Sequence, residues 1–186
     1  MRIVILIFLL TSFISCSSGN VSVKNDPFSK ETVVTFDKWH KVVEGPLDNL
    51  RATYTRYIKN GVKSPIIVEL EFRGNANPIF GYNGDNLDDS VNILIDDNSM
   101  KVKLQNTTKN SSLYIGGMHT GAISSYNIGT ICNLTGKFII PASAENAILN
   151  SKLFMLRVST AGKYTVLKAT SGQLDNIKKL VSSNGN

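Results

Sequence analysis

Cysteine is nearly absent from these 186 residues, which contain only Cys16 and Cys132. Two thiols cannot build a disulfide framework or a four-thiolate zinc site. Histidine is as scarce, with His40 and His119 alone, so a three-histidine zinc site is excluded as well. No Lys/Arg run exceeds Lys178-Lys179, and basic and aromatic residues do not interleave as in RNA-binding motifs. No nucleic-acid partner is therefore expected. A Gly-x-Ser-x-Gly elbow is missing, and Gly116-Gly117-Met118-His119-Thr120-Gly121 lacks the Gly-Lys-Ser/Thr ending of a phosphate loop. Five prolines, 14 glycines and an 18% charged fraction are too ordinary for a collagen-like or disordered chain. What remains is a chain of single-domain size, 42% hydrophobic, with a formal net charge of +6.

The N-terminus holds the strongest pattern. Arg2 precedes an unbroken apolar run from Ile3 to Leu10, followed by Thr11-Ser12-Phe13-Ile14-Ser15-Cys16. A cation, a short apolar core and small residues before the cut form a secretory signal, and the run is too short for a spanning helix of roughly 20 residues. Phe13-Ile14-Ser15-Cys16 resembles the bacterial lipoprotein box, with Phe where Leu is usual. The resemblance implies removal of residues 1–15, lipidation of Cys16 and a lasting membrane anchor through its acyl chains. Ser17 after the cysteine resembles an outer-membrane address. The polar stretch 16–32 reads as a flexible, lipid-anchored linker, and residues 33–186 as one domain.

Past the linker, apolar residues recur at period two. Leu50, Ala52, Tyr54, Arg56 and Ile58 alternate with Arg51, Thr53, Thr55 and Tyr57. Ile66, Val68, Leu70 and Phe72 alternate with Ile67, Glu69, Glu71 and Arg73, so the charges share one face. Val91–Ile95 and Met100–Leu104 read as a hairpin around Asp96-Asp97-Asn98, and residues 153–158 and 164–169 as another around Ala161-Gly162. Ala144, Ala147 and Ile148 fall at helical spacing after Pro141, and Thr170 and Gln173 stand at capping-box spacing before Leu174, Ile177 and Val181. The expected fold is mainly β: an antiparallel β-sandwich of about eight or nine short strands, with a short helix near 142–150 and a C-terminal helix near 171–182. Residues 153–158 are a candidate edge strand for pairing with another chain.

Chemistry-bearing constellations are thin. Asp85, Asp88 and Asp89, with Asp96 and Asp97 nearby, lack EF-hand spacing, and calcium binding there is left open. His119 near Ser124 or Ser125 has no exposing elbow, and Cys132 lies in apolar company suited to a buried, inert thiol. The Gly-rich segment 116–121 reads as a mobile loop, and with Tyr114, His119 and Tyr126 it is the expected recognition surface.

Trp39 to Asp48 (Trp-His-Lys-Val-Val-Glu-Gly-Pro-Leu-Asp) resembles the opening of periplasmic proteins associated with type VI secretion, although Gly45 stands where those have Ser. The order of elements from Val91 to Leu180 is similar to that group and to the invasion-associated locus B proteins. These resemblances imply an envelope accessory with a β-sandwich fold and carry over no catalytic residue. The expectation is a non-enzymatic, lipid-anchored envelope protein, at the outer membrane, with a protein partner, no cofactor, no metal and no small-molecule ligand. The alternatives are a periplasmic inhibitor of immunity type, or a cell-wall-binding module or enzyme.

Overall fold

Period-two alternation becomes a ladder of paired strands in the computed structural model, which describes residues 20–47, 49–76, 83–120 and 123–184, the side chains of 49, 75, 114–120 and 123–128 lying outside that description. Among the described residues, eleven strands and two helices follow one another: β1 (Ser22–Asp26), β2 (Glu31–Glu44), β3 (Asn49–Lys59), β4 (Val62–Lys63), β5 (Ile67–Ala76), β6 (Leu87–Ile95), β7 (Asn98–Lys103), β8 (Gln105–Thr120), β9 (Ile123–Ile139), α1 (Ala142–Asn150), β10 (Phe154–Thr160), β11 (Lys163–Lys168) and α2 (Ser171–Ser182). The fold is mainly β and antiparallel, as expected, with both helices at the expected residues. The strand count exceeds the expected eight or nine because β1 and β4 are short additions to the edges of β2 and β3.

The strands are ordered β7-β6-β10-β11-β2-β3-β5-β9-β8. Strand β2 is the bend. Its residues 31–40 pair with β3, while Lys41, Val42 and Glu44 pair with β11. The two wings close over one core in a sandwich-like arrangement, and β6 reaches β8 and β9 at the far side. The Leu104 N–H donates to the Asp89 carbonyl at 2.7 Å there. Inward residues of one wing, Val34, Phe36, Leu50, Tyr54, Val68, Phe72, Leu134 and Phe138, meet Val91, Ile93, Phe154, Leu156 and Val158 of the other. Tyr54 joins the wings directly, stacked on Phe36 at 5.8 Å and edge-on to Phe154 at 6.4 Å. Each such side chain, fully buried, contributes about 1.5–3 kcal/mol.

Helix α2 begins at the capping box read from the sequence. Gln173 N–H donates to Thr170 Oγ1 and Thr170 N–H donates to Gln173 Oε1. Gln173 Nε2 also donates to the Trp39 carbonyl at 2.8 Å, which ties the helix to β2. Its buried stripe is Leu174, Ile177, Leu180 and Val181. The β3–β4 turn uses Asn60 and Gly61, both at positive φ (52° and 77°), the signature of a two-residue hairpin turn matched to strand twist.

Three sequence readings change. Ser22–Asp26, read as part of a flexible linker, is a strand paired residue for residue with Glu31–Thr35. Val23 and Lys24 give it extended propensity, but only a partner strand supplies the hydrogen bonds that hold it. Residues 116–120, read as loop, continue β8. Glycine permits the extended backbone, and the pairing of β8 with β9 enforces it. Strand β10, expected as an edge, lies between β6 and β11; the sheet order ends at β7 and β8.

Candidate recognition surface

The outward side chains of β2, β3, β5 and β9 line up row by row. Asp37 is paired with Thr53, Thr53 with Glu69, and Glu69 with Lys137; one row on, Trp39 is paired with Arg51, Arg51 with Glu71, and Glu71 with Thr135. These rows frame an open groove of about 500 Å³ whose walls include Asp37, Arg51, Glu69, Glu71 and Lys137. Every charge named is engaged. Arg51 Nε donates to both Asp37 oxygens, at 2.8 and 3.1 Å, and its Nη2 pairs with Oδ2 of the same carboxylate. Thr53 Oγ1 donates to Asp37 at 3.2 Å. Lys137 Nζ meets Glu69 at 2.7 Å, and Arg51 Nη1 lies 3.9 Å from Glu71. The Arg51 hydrogen bond holds the Asp37 carboxyl below the usual carboxylate range despite partial desolvation. The Glu69 hydrogen bond raises the Lys137 ammonium.

Exposed pairs of this kind contribute only about 0–1 kcal/mol each to stability. Their effect is on what can cover them, since a surface whose charges already have partners can be desolvated without stranding one. Beside the groove stands Trp39, half exposed at 50%. Tryptophan with an open face is the residue type most enriched at binding hot spots.

His40, one residue on, has the opposite environment. It is buried, and its Nε2 lies 3.3 Å from the hydroxyl of the fully buried Tyr54. Burial pushes the imidazole pKa from 6.5 down to about 4 and pushes the Tyr54 phenol up. The folded chain therefore refuses a proton that the unfolded chain accepts. Stability is expected to be full above pH 6.5 and to decline as pH falls from 6.5 toward 4, by about 3 kcal/mol from this group. Urea midpoints across that range measure it, and a His40→Gln chain is expected to lose most of the slope.

The sequence-expected surface falls on β8 and β9. Tyr114 is paired with Gly129, His119 with Ser124 and Tyr126 with Gly117. Their side chains lie outside the described residues, as does all of Cys16. Cys132 is buried in β9, opposite Gly74. Asp88 and Asp89 lie within β6, and Asp96 Oδ1 accepts from the Lys152 and Leu153 N–H groups. Among the described residues no group of three acidic, histidine or cysteine side chains is placed to hold a metal ion, and no helix is long and apolar enough to cross a membrane.

The alternation missed one functional-looking residue while naming it. Arg56 falls in register with Leu50, Ala52, Tyr54 and Ile58, and it is buried at 2% exposure. The lone cation on an apolar face was the available signal. Its guanidinium pairs with Glu145 of α1 and donates to the Val181 carbonyl of α2 at 2.6 Å.

Comparison of the chain with protein-family models, curated proteins and solved structures finds no match.

Proposed function

We propose that this chain is a lipid-anchored protein of the bacterial envelope that acts by binding a protein partner, through the outer face of the β2-β3-β5-β9 wing. The observation that supports this most is Trp39, half exposed beside a groove whose charges are already paired. A rigid sheet presents this aromatic without ordering cost, and the neutralised ladder around it lowers the desolvation cost of docking. The lipoprotein-box resemblance at Phe13–Cys16 supports the anchor. The resemblance to type VI secretion-associated and invasion-associated locus B proteins supports an accessory role in a secretion or surface machine.

Two measurements test this reading. Cys16→Ala is expected to move the protein from the membrane pellet to the soluble envelope fraction and to remove the acyl mass from the intact chain. A photo-activatable residue at Thr53 is expected to trap one dominant envelope partner, and Trp39→Ala to weaken that capture on the order of 30-fold, the loss typical of a hot-spot aromatic. Unchanged capture in Trp39→Ala would sink the surface assignment. Capture of a soluble hydrolase would instead select the inhibitor reading.

A further inference from the structure

The most exposed large apolar side chain among the described residues is Phe28, at 97%. It sits in the turn between β1 and β2, part of the stretch the sequence suggested was linker. That turn is built. Asp26 accepts from the Phe28 N–H at 2.9 Å and from Ser29 Oγ at 2.7 Å, so its carboxylate clasps the loop that carries the ring. In the ladder, Asp26 is paired with Glu31, Glu31 with Lys59 and Lys59 with Val62. Val62 is itself 72% exposed. Phe28 and Val62 thus stand at the same end of the sheet. Lys24, Lys30, Lys59 and Lys63, all exposed, lie on the strands and turn at this end, against Asp26 and Glu31.

Apolar tips flanked by lysines match an anionic lipid surface, with the Phe28 ring and the Val62 side chain entering the headgroup layer and the ammonium groups meeting phosphate. The chain length agrees. Cys16 and Ser22 are six residue steps apart, a span of at most about 20 Å. Strand β1 has five residues, about 17 Å. The level of the Phe28 turn is therefore within reach of a lipid on Cys16. The far end of β9 lies 16 residues beyond the Ile139 row that Ser22 shares through Thr35, Thr55 and Ile67, about 53 Å away.

We propose that the Phe28–Val62 end of the sheet is a second membrane contact, docking on anionic headgroups and setting the orientation of the anchored domain. This rests on the lipid-anchor reading, and the experiment separates the two. The mature full chain carries an environment-sensitive fluorophore at Val62→Cys, with Leu113→Cys as the distant control. Each is placed on vesicles of phosphatidylcholine with or without phosphatidylglycerol, and the intact mass is recorded in parallel. The expected result is an acylated chain whose label at 62 is blue-shifted and shielded from iodide on anionic vesicles, while the label at 113 stays open to quencher. Phe28→Ala is expected to lower the docked-to-undocked ratio on the order of tenfold, and high salt to lower it further. An acylated chain with an open label at 62 overturns the contact and leaves the anchor standing. An unacylated chain that still shields the label on anionic vesicles supports the contact and removes the anchor. An unacylated chain that does neither overturns both. Shielding that survives Phe28→Ala and neutral lipid alike also overturns the contact.

Discussion

Arg56→Ala is expected to destabilise the fold by about 3–5 kcal/mol, the cost of breaking a buried ion pair from one side. The residue lies on β3 and is 2% exposed, and it holds both helices. One terminal nitrogen pairs with Glu145 of α1, and the other donates to the Val181 carbonyl in the last turn of α2. Glu145 in turn accepts from the Ile66 N–H at 3.2 Å, which fixes α1 against the start of β5. Truncation would leave a mostly buried carboxylate with one backbone donor and an orphaned helix carbonyl. Arg56 Nε has no acceptor among the described residues, so the pair already carries an unmet desolvation cost. Replacing both partners, Arg56→Met with Glu145→Gln, is therefore expected to cost much less than Arg56→Ala alone. Urea denaturation of the four chains of that cycle gives the coupling directly, and an additive cycle would show that the two side chains do not act as a pair.

Gly45→Ala is expected to cost about 2–6 kcal/mol, combining about 1–3 kcal/mol for a side chain held at positive φ with about 1–3 kcal/mol for overpacking. Gly45 has φ +116°, and a Cβ there would lie 2.5 Å from both the Thr165 Cα and the Tyr164 carbonyl oxygen. Those are backbone atoms of β11, so nothing can rotate away. The position is where β2 leaves β11, beside the shift in register between Val166 and Leu167. Gly61→Ala is the control. At φ +77° a Cβ there meets nothing within 4 Å, so the expected loss is about 1 kcal/mol of backbone strain alone. Equal losses at the two glycines in thermal or urea unfolding would refute the close approach.

The legible parts of the fold are those written in local periodicity. The alternation around Leu50 and Val68 placed β3 and β5, and the Thr170–Gln173 spacing placed α2 with its cap. The charges on Glu69, Glu71 and Arg73 share one face in the alternation, but the partners of Glu69 and Glu71, Lys137 and Arg51, come from other strands. No local pattern states which strands are neighbours. Strand β1 was illegible for a related reason: every residue in it is exposed, so it has no apolar rhythm and exists through its pairing with β2. The glycine-rich stretch of β8 looks like loop in the sequence because glycine is permissive, and its long partner β9 settles the backbone.

By itself the sequence determined the composition limits, the antiparallel β character and the helices at 142–150 and 171–182, because each is a property of neighbouring residues in the chain. The tertiary structure alone decided that β2 bends between two wings, that β10 is interior, that Arg56 is a buried staple, and that Trp39 is half exposed while its neighbour His40 is buried. Those outcomes depend on which surfaces meet across long separations, and hydrogen bonding and close packing settle them only once the sheet has closed.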